Sequence, residues 1–390
     1  MEGINKESNK DKIALVVVGY NRIKSISRLL QSVSEANYGE YDIPLIISID
    51  ASGCEELYDF VKGFKWPFGE KYVNIQKERL GLKNHIYQCG DLTKYFKAIV
   101  LLEDDLYVSP YFYEYVVKTV EKYGDDDRIS EISLYKNEGN GYVGLPFQPL
   151  LNGYDVYLKQ DVSTWGECWT EKMWRQFTDW RDSHTEEDIQ KINMPHLIKT
   201  WERAWSKYYN AYVVDTGKFN VYPYIPVTTN FSDAGEHGGD NNRLVQVHML
   251  WGNKEYNLGE FEELVKYDIF GNNMALYEWL KLRKGDVCLS TYGNASCTKD
   301  EQYILTPMLL PYKIEKSFGG SLKPIELNVK QNISGNTLFL YDTQISVGHT
   351  KSSHYPFLFL NYFMQNYNHR LAARELVGYY WRQFKKRIHL

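Results

Sequence analysis

Residues 98–115 read AIVLLEDDLYVSPYFYEY, and the reading of this stretch decides the fold. Ala98, Ile99, Val100, Leu101 and Leu102 are apolar on both alternating faces, as a strand buried on both sides requires. The run ends in three carboxylates, Glu103, Asp104 and Asp105. Pro110 then opens an aromatic-rich segment predicted to be helical, because proline is tolerated in a first turn. Carboxylates at the C-terminal end of a buried strand stand where open α/β sheets bind their ligands. Successive strand residues point to opposite faces, so Asp104 and Asp105 are expected to serve different tasks. Hard oxygen ligands this close together suit a divalent cation, Mn²⁺ or Mg²⁺, that also holds substrate phosphates. A solvated acidic turn is the plain alternative, and the buried strand in front of the triplet weighs against it.

Upstream, the same pattern repeats. Residues 13–19 (IALVVVG) read as a first buried strand, followed by Tyr20-Asn21-Arg22. Ile23, Ile26, Leu29, Leu30 and Val33 then recur at helical spacing. A second strand over 44–49 (PLIISI) ends at Asp50, before the turn residues Ala51-Ser52-Gly53. A helix over 55–64, a short strand over 72–76 and a helix within 79–96 lead back to Ala98. Strands alternating with helices predict an α/β fold, a mostly parallel sheet flanked by helices. Arg22, Asp50 and the carboxylate triplet should therefore converge along one sheet edge. Asp50 can bind ribose hydroxyls or a base N–H, or it can simply shape the turn before Ser52-Gly53. Arg22 can pair a phosphate, or stand solvated. No G-x-G-x-x-G follows the first strand and no G-x-x-x-x-G-K-[ST] occurs, which disfavours dinucleotide and P-loop readings.

Composition narrows the classes further. A net charge of -5 over 390 residues gives no overall attraction to nucleic acid. Tyr (33) and Trp (10) are abundant, which fits packed layers first and sugar-stacking faces second. Cys54, Cys89, Cys168, Cys288 and Cys297 form no CxxC pair, so neither a disulfide framework nor a zinc cluster is expected. A reducing compartment follows, and with the polar, charged first twelve residues, a cytoplasmic protein. No apolar run approaches the ~20 residues that span a bilayer.

The order strand–YNR, strand–D, helix with NH, strand–EDDLxVSPxFxEY resembles a nucleotide-sugar-dependent glycosyltransferase of the GT-A fold. It is similar to the Golgi N-acetylglucosaminyltransferase I family and its bacterial relatives in surface-polysaccharide synthesis. The segment EDDLYVSPYFYEY carries most of the likeness, with an acidic triplet, Leu-x-Val and Pro-x-Phe-x-Glu-Tyr. The resemblance implies that Arg22 contacts the nucleotide, that Asp50 binds the uridine and that His85 lies at the donor nucleotide. It makes Asp104 the carboxylate that reaches the sugar or ribose, and Asp105 the metal ligand. Val162-Ser163-Thr164-Trp165-Gly166 resembles the family's loop beside the donor sugar, with Trp165 as a donor-binding residue. Lys199-Thr200-Trp201-Glu202-Arg203-Ala204-Trp205 resembles the segment that carries the catalytic base, with one residue more between its tryptophans. Glu202 is the implied base, with Asp179, Asp182 and Asp233 as competing candidates. The stretch 222–239 resembles a loop of the bacterial relatives ending in Gly-x-Gly-x-His, with Ala234-Gly235 altering its start. There His237 is implied as a metal or pyrophosphate ligand.

The implied activity is metal-dependent transfer of a sugar from a nucleotide-diphosphate donor, a UDP-sugar first, to a glycan or lipid-linked saccharide. With Glu202 as that base, the resemblance also implies inversion at the anomeric carbon. The competing readings are a sugar nucleotidyltransferase, for which GYNRIKS is a poor phosphate loop, and a non-catalytic sugar-binding protein. The resemblance covers residues 12–240, taken as the transferase domain. Residues 241–367 form an α+β extension of unknown role, in which KPIELNV and TLFLYDT read as strands and MALYEWLKLRK as a helix. Residues 368–390 read as a basic amphipathic helix, with Leu371, Val377, Tyr380, Trp381, Phe384 and Ile388 assigned to one side. Such a helix suits a membrane surface, which adds peripheral attachment at the inner membrane to the expected location.

Overall fold

The computed structural model describes residues 4, 6–235, 245–298, 300–348, 362–363 and 368–387. Its first elements follow the apolar runs closely. They are β1 (Ile13–Gly19), α1 (Ile23–Ser34), β2 (Leu45–Ile49), α2 (Glu55–Gly63), β3 (Lys71–Ile75), α3 (Gly81–Gly90) and β4 (Ala98–Glu103). Every residue of β1 and β2 is buried, as is β4 up to Leu102. Strands enclosed on both faces need no polar alternation, which is why these runs are continuous. β1 pairs in parallel with β2 on one side and β4 on the other, and β2 continues the parallel set to β3.

The chain then runs through β5 (Leu106–Val108), α4 (Phe112–Tyr123), β6 (Ile129–Ser133) and a small hairpin, β7 (Gly139–Asn140) with β8 (Leu145–Pro146). β9 (Val156–Lys159), β10 (Glu167–Thr170) and α5 (Glu171–Ser183) follow. Thr170 caps α5, its hydroxyl accepting the Met173 N–H at 3.3 Å. Short helices α6 (Glu186–Lys191) and α7 (His196–Lys199) lead to α8 (Trp205–Asp215), β11 (Phe219–Pro223), β12 (Thr228–Asn230) and β13 (Lys266–Tyr267). The main sheet runs β13-β9-β11-β6-β10-β4-β1-β2-β3. Its mostly parallel character is interrupted at β10, which is antiparallel to both β4 and β6, and between β9 and β11. Helices flank it: α3 packs on β4, and α4 and α5 pack on β6.

Beyond β13 lie α9 (Leu276–Leu280), β14 (Val287–Leu289), β15 (Tyr303–Thr306), β16 (Tyr312–Phe318), α10 (Glu326–Lys330) and β17 (Leu338–Ser346). These build a separate four-stranded sheet, β14-β15-β17-β16, over a core that includes Leu276, Leu289, Leu305 and Leu340. TLFLYDT and MALYEWLKLRK meet their expectations here. KPIELNV does not, because the segment contains α10 rather than a strand. Its apolar run is too short for periodicity to separate helix from strand. The cysteine reading also changes: Cys288 and Cys297 form a disulfide, closing the loop that follows β14. No described helix is long and apolar enough to cross a membrane.

The strand order reverses beside β1. The chain winds outward through β2 and β3, then returns to β4 on the opposite side of β1. The gap between the C-terminal ends of β1 and β4 is thus the topological switch point, where sheets of this kind bind ligands.

Candidate active site

At that switch point lies a cavity of about 170 Å³, walled by Gly19, Arg22, Asp50, Arg79, His85 and the carboxylates Glu103 to Asp105. Five residues singled out from the sequence, Arg22, Asp50, His85, Asp104 and Asp105, therefore meet in one place. They come from four separate segments, each ending or following an element of the parallel half of the sheet.

The centre of the arrangement is Arg22. Its Nε donates to Asp104 Oδ2 at 3.2 Å and its Nη2 to Asp104 Oδ1, a fork on one carboxylate. Its Nη1 donates to Asp105 Oδ2 at 3.2 Å and to the Asp233 carbonyl at 3.1 Å. The expectation that Asp104 and Asp105 serve different tasks fails in this respect. The two residues form the turn between β4 and β5, where strand alternation no longer applies, and one guanidinium holds both. Asp105 is further fixed by Asn230, whose Nδ2 donates to Oδ1 at 3.1 Å. The short ladder β5–β12 supplies that contact by aligning Asn230 with Leu106.

Charge crowding shows in the protonation of the triplet. Burial, with the charges of Asp105 and Asp104, pushes Glu103 up to about 8. Burial likewise pushes Asp104 up to about 6, although Arg22 pulls against it. Asp105 is raised by burial too, again against Arg22. Arg22 itself stays firmly charged: burial opposes this, but Asp104 and Asp105 outweigh it. Among the described wall residues, five carboxyl groups (Asp50, Glu103, Asp104, Asp105 and Asp233) outnumber Arg22 and Arg79, and such an acidic site accepts further positive charge.

Asp50 turns out to be a structural organiser as well as a wall. Its Oδ1 accepts the N–H groups of Ala51 (2.9 Å) and Leu80 (2.8 Å), and its Oδ2 that of Gly81 (2.9 Å). It thereby fixes the start of α3, where a carboxylate satisfies free amides and complements the helix dipole. Gly81 adopts φ 72, a left-handed conformation that a side chain would strain. One turn further, His85 is 2% exposed, and its Nε2 lies 2.7 Å from Ser48 Oγ. Burial lowers it to about 4, against the charge of Asp50, so it stays neutral near pH 7.

Several contacts of the site carried no sequence signal. Asp233, considered as a base, is instead clamped by Ser25 Oγ at 2.7 Å and by Arg28 Nη2. Arg28 also lies over the Phe231 ring, 3.7 Å from its centroid. This clamp draws the segment after β12 against α1, so that Asp233 and Gly235 join the cavity wall. Arg79 lies over the Tyr20 ring at 4.9 Å. Partners about two hundred positions apart are invisible to any local pattern.

The remaining candidates lie elsewhere. Trp165 is half-buried, packed edge-on against Tyr135 at 4.7 Å, and is not part of the cavity wall. Glu202 is exposed in the turn between α7 and α8, also apart from the wall. Asp179 and Asp182 are exposed on or beside the last turns of α5. His237 falls outside the described residues. Among the described residues no group of three or more His, Cys, Asp or Glu is arranged to hold a metal ion. Asp104 and Asp105 nevertheless present hard oxygens at one point. That donor set fits a cation that takes one or two carboxylates and completes its shell with phosphate and water.

No protein-family model matches the chain, and no curated protein matches it. Solved structures with partial likeness include Staphylococcus aureus TarS 1–349 in complex with UDP-GlcNAc, at 12% identity and TM-score 0.37, over 58% of this chain and 60% of that one. A mannosyltransferase from Pyrobaculum calidifontis with GDP-Man and Mn²⁺ overlaps at 11% identity and TM-score 0.31, over 44% and 47%. GalNAc-T7 with UDP, GalNAc and Mn²⁺ overlaps at 13% identity and TM-score 0.39, over 55% and 43%. The chain thus spans less than two thirds of the length of each of these structures. Overlaps this loose leave the functional reading to rest on the site itself.

Proposed function

We propose that the protein is a glycosyltransferase that takes a sugar from a nucleotide-diphosphate donor, a UDP-sugar first, with a divalent cation bound. The observation that carries this reading is the Arg22 fork on Asp104 and Asp105 at the switch point of a parallel sheet. The nucleoside enters between the ends of β1 and β2, against Asp50 and the neutral His85. The diphosphate lies toward Arg22 and the triplet. A diphosphate alone would meet excess negative charge there, so Mn²⁺ or Mg²⁺, held by Asp105, accompanies it. When bound, the cation supplies Lewis-acid stabilisation of the leaving diphosphate. Arg22, shared between carboxylate and phosphate, orients the donor.

The acceptor is assigned as a glycan or lipid-linked saccharide in surface-polysaccharide synthesis. By the sequence resemblance alone, Trp165, which lies outside the cavity wall, is assigned to the donor sugar and His237 to the metal or pyrophosphate. Glu202 serves as the base that takes the acceptor proton, which makes the transfer inverting. Residues 12–240 form the transferase unit. Residues 241–367 extend it, with the main sheet and its core running past residue 240 through β13, Leu264, Ile269 and Phe270.

The test is calorimetric titration of a panel of UDP- and GDP-sugars with and without Mn²⁺, on the native protein and Asp105→Asn. Metal-dependent binding of one donor, lost in the variant while the fold persists, is the expected result. Binding of no nucleotide sugar under any metal condition would overturn the reading. Equal binding by Asp105→Asn would remove that residue alone.

A further inference from the structure

The helix His369–Arg387 stands apart from every hydrophobic cluster of the described chain. Leu376, Val377, Tyr380, Trp381 and Phe384 line one face and are exposed, Val377 at 70% and Tyr380 at 67%. Their positions, spaced 1, 3, 1 and 3 apart, trace a single stripe on a 3.6-residue period. The Trp381 and Phe384 rings stack at 5.8 Å. Leu371, expected on this stripe from its spacing, is not part of it, and Ile388 lies outside the described residues. Large apolar side chains left in water over two turns mark a surface built to be covered.

Charge identifies what covers it. From residue 370 to 387 the sequence carries six cations, Arg370, Arg374, Arg382, Lys385, Lys386 and Arg387, against Glu375 alone. Arg374 is spent on that glutamate at 3.2 Å, and Lys385 lies beside the Trp381 ring at 5.5 Å. A second copy of the same helix would bring six further cations against these six, with one glutamate on each side, over a stripe only nine residues long. An anionic lipid surface satisfies both halves at once. The apolar stripe enters the acyl boundary, the tyrosine and tryptophan rings occupy the headgroup level, and the basic side chains meet anionic headgroups.

We propose that this helix is an interfacial anchor that lies flat on an anionic bilayer and holds the protein there reversibly. The inference stands on the helix alone and does not depend on the donor chemistry. At 19 residues the helix is about 28 Å long, enough to lie along the interface with its full stripe engaged. Near an anionic membrane each basic residue is worth about five-fold in partitioning.

The test is co-sedimentation of the full chain with vesicles of phosphatidylcholine alone and of equal parts phosphatidylcholine and phosphatidylglycerol. Two variants join it, Val377→Ser/Trp381→Ser/Phe384→Ser and Arg382→Glu/Lys385→Glu. The native protein is expected to sediment with the anionic vesicles only, and to be released by salt. Both variants should lose at least ten-fold in partitioning, with unchanged thermal melting of the main body as the control for folding. Equal sedimentation of native protein and both variants would overturn the proposal. So would sedimentation indifferent to phosphatidylglycerol, or an association in solution that the triple variant abolishes with no lipid binding.

Discussion

His85 offers the sharpest quantitative test, because its energetics can be worked from its surroundings. The ring is 2% exposed and its ordinary value of 6.5 falls to about 4, with burial as the main cause. A difference of about 2.5 units, at about 1.4 kcal/mol each, corresponds to about 3 kcal/mol between the protonation states. The sign follows from where the proton sits. Between about pH 4 and about pH 6.5 the unfolded chain binds a proton at this residue and the folded chain does not, so stability rises with pH across that window. The contribution is complete above 6.5 and is lost as the pH falls toward 4. At pH 5 about 2 kcal/mol of it is already gone.

His85→Gln keeps a hydrogen-bonding group for Ser48 and removes the titration. Any packing cost of the substitution is the same at every pH, so the difference in slope isolates the histidine. Urea denaturation at several pH values should show a native slope steeper than the variant's by up to about 1.4 kcal/mol per unit across this window. The two curves should run parallel above about pH 7. Parallel curves throughout would refute the account. The same neutrality bears on function: near pH 7 His85 can donate or accept one hydrogen bond to a nucleoside, but it cannot supply charge to a diphosphate.

Glu202→Gln should lower sugar transfer by ~10²–10⁴ with donor binding retained, since general-base loss has that size; an unchanged rate would move the base elsewhere. Gly90→Ala would place a methyl 2.1 Å from Trp174 Cζ2, so a loss of about 1–3 kcal/mol is expected in thermal melting. Glu131 and Glu167 are wholly buried, and burial raises both well above the ordinary carboxylate range. Each costs stability as the pH rises above its unfolded value, so Glu167→Gln should be more stabilising, or less destabilising, at pH 8 than at pH 5. An identical effect at both pH values would contradict this.

The parallel half of the fold was legible because it is enclosed. β1, β2 and β4 have no solvent face, and a near-continuous apolar run is the pattern such strands favour. The cavity was legible at the same points, since Arg22, Asp50 and the triplet each follow one of those strands. What stayed hidden depends on contacts between distant segments. Nothing local marks Asp233 for Ser25 and Arg28. Glu131 within ISEIS looks like the polar half of an alternating strand, yet it lies inside because β6 is covered on both faces. The α10 segment misleads for another reason: Lys323-Pro324-Ile325 suggests an extended start, and the five helical residues after it are too few to show a period.

The Arg22 fork implies a coupling between metal and nucleotide that sequence alone does not suggest. In the protein by itself, the guanidinium answers the carboxylates that a divalent cation would need, so metal and arginine compete for Asp104 and Asp105. A diphosphate reverses this, because it offers Arg22 a second anionic partner and adds ligands for the metal. Metal and nucleotide should therefore bind with positive coupling, and the factor must be equal in both directions. Arg22→Met separates the terms. Removing the cation leaves the carboxylates unanswered, so Mn²⁺ alone should bind at least ~10-fold more tightly, as expected when a like charge leaves a site of low dielectric. Nucleotide affinity should fall in the same variant, since the phosphate loses its arginine. Titration of Mn²⁺ followed by electron paramagnetic resonance, with and without UDP, measures all four corners of the cycle. If Mn²⁺ alone binds the variant no better than the native protein, Arg22 is not the metal's competitor and the fork is purely structural.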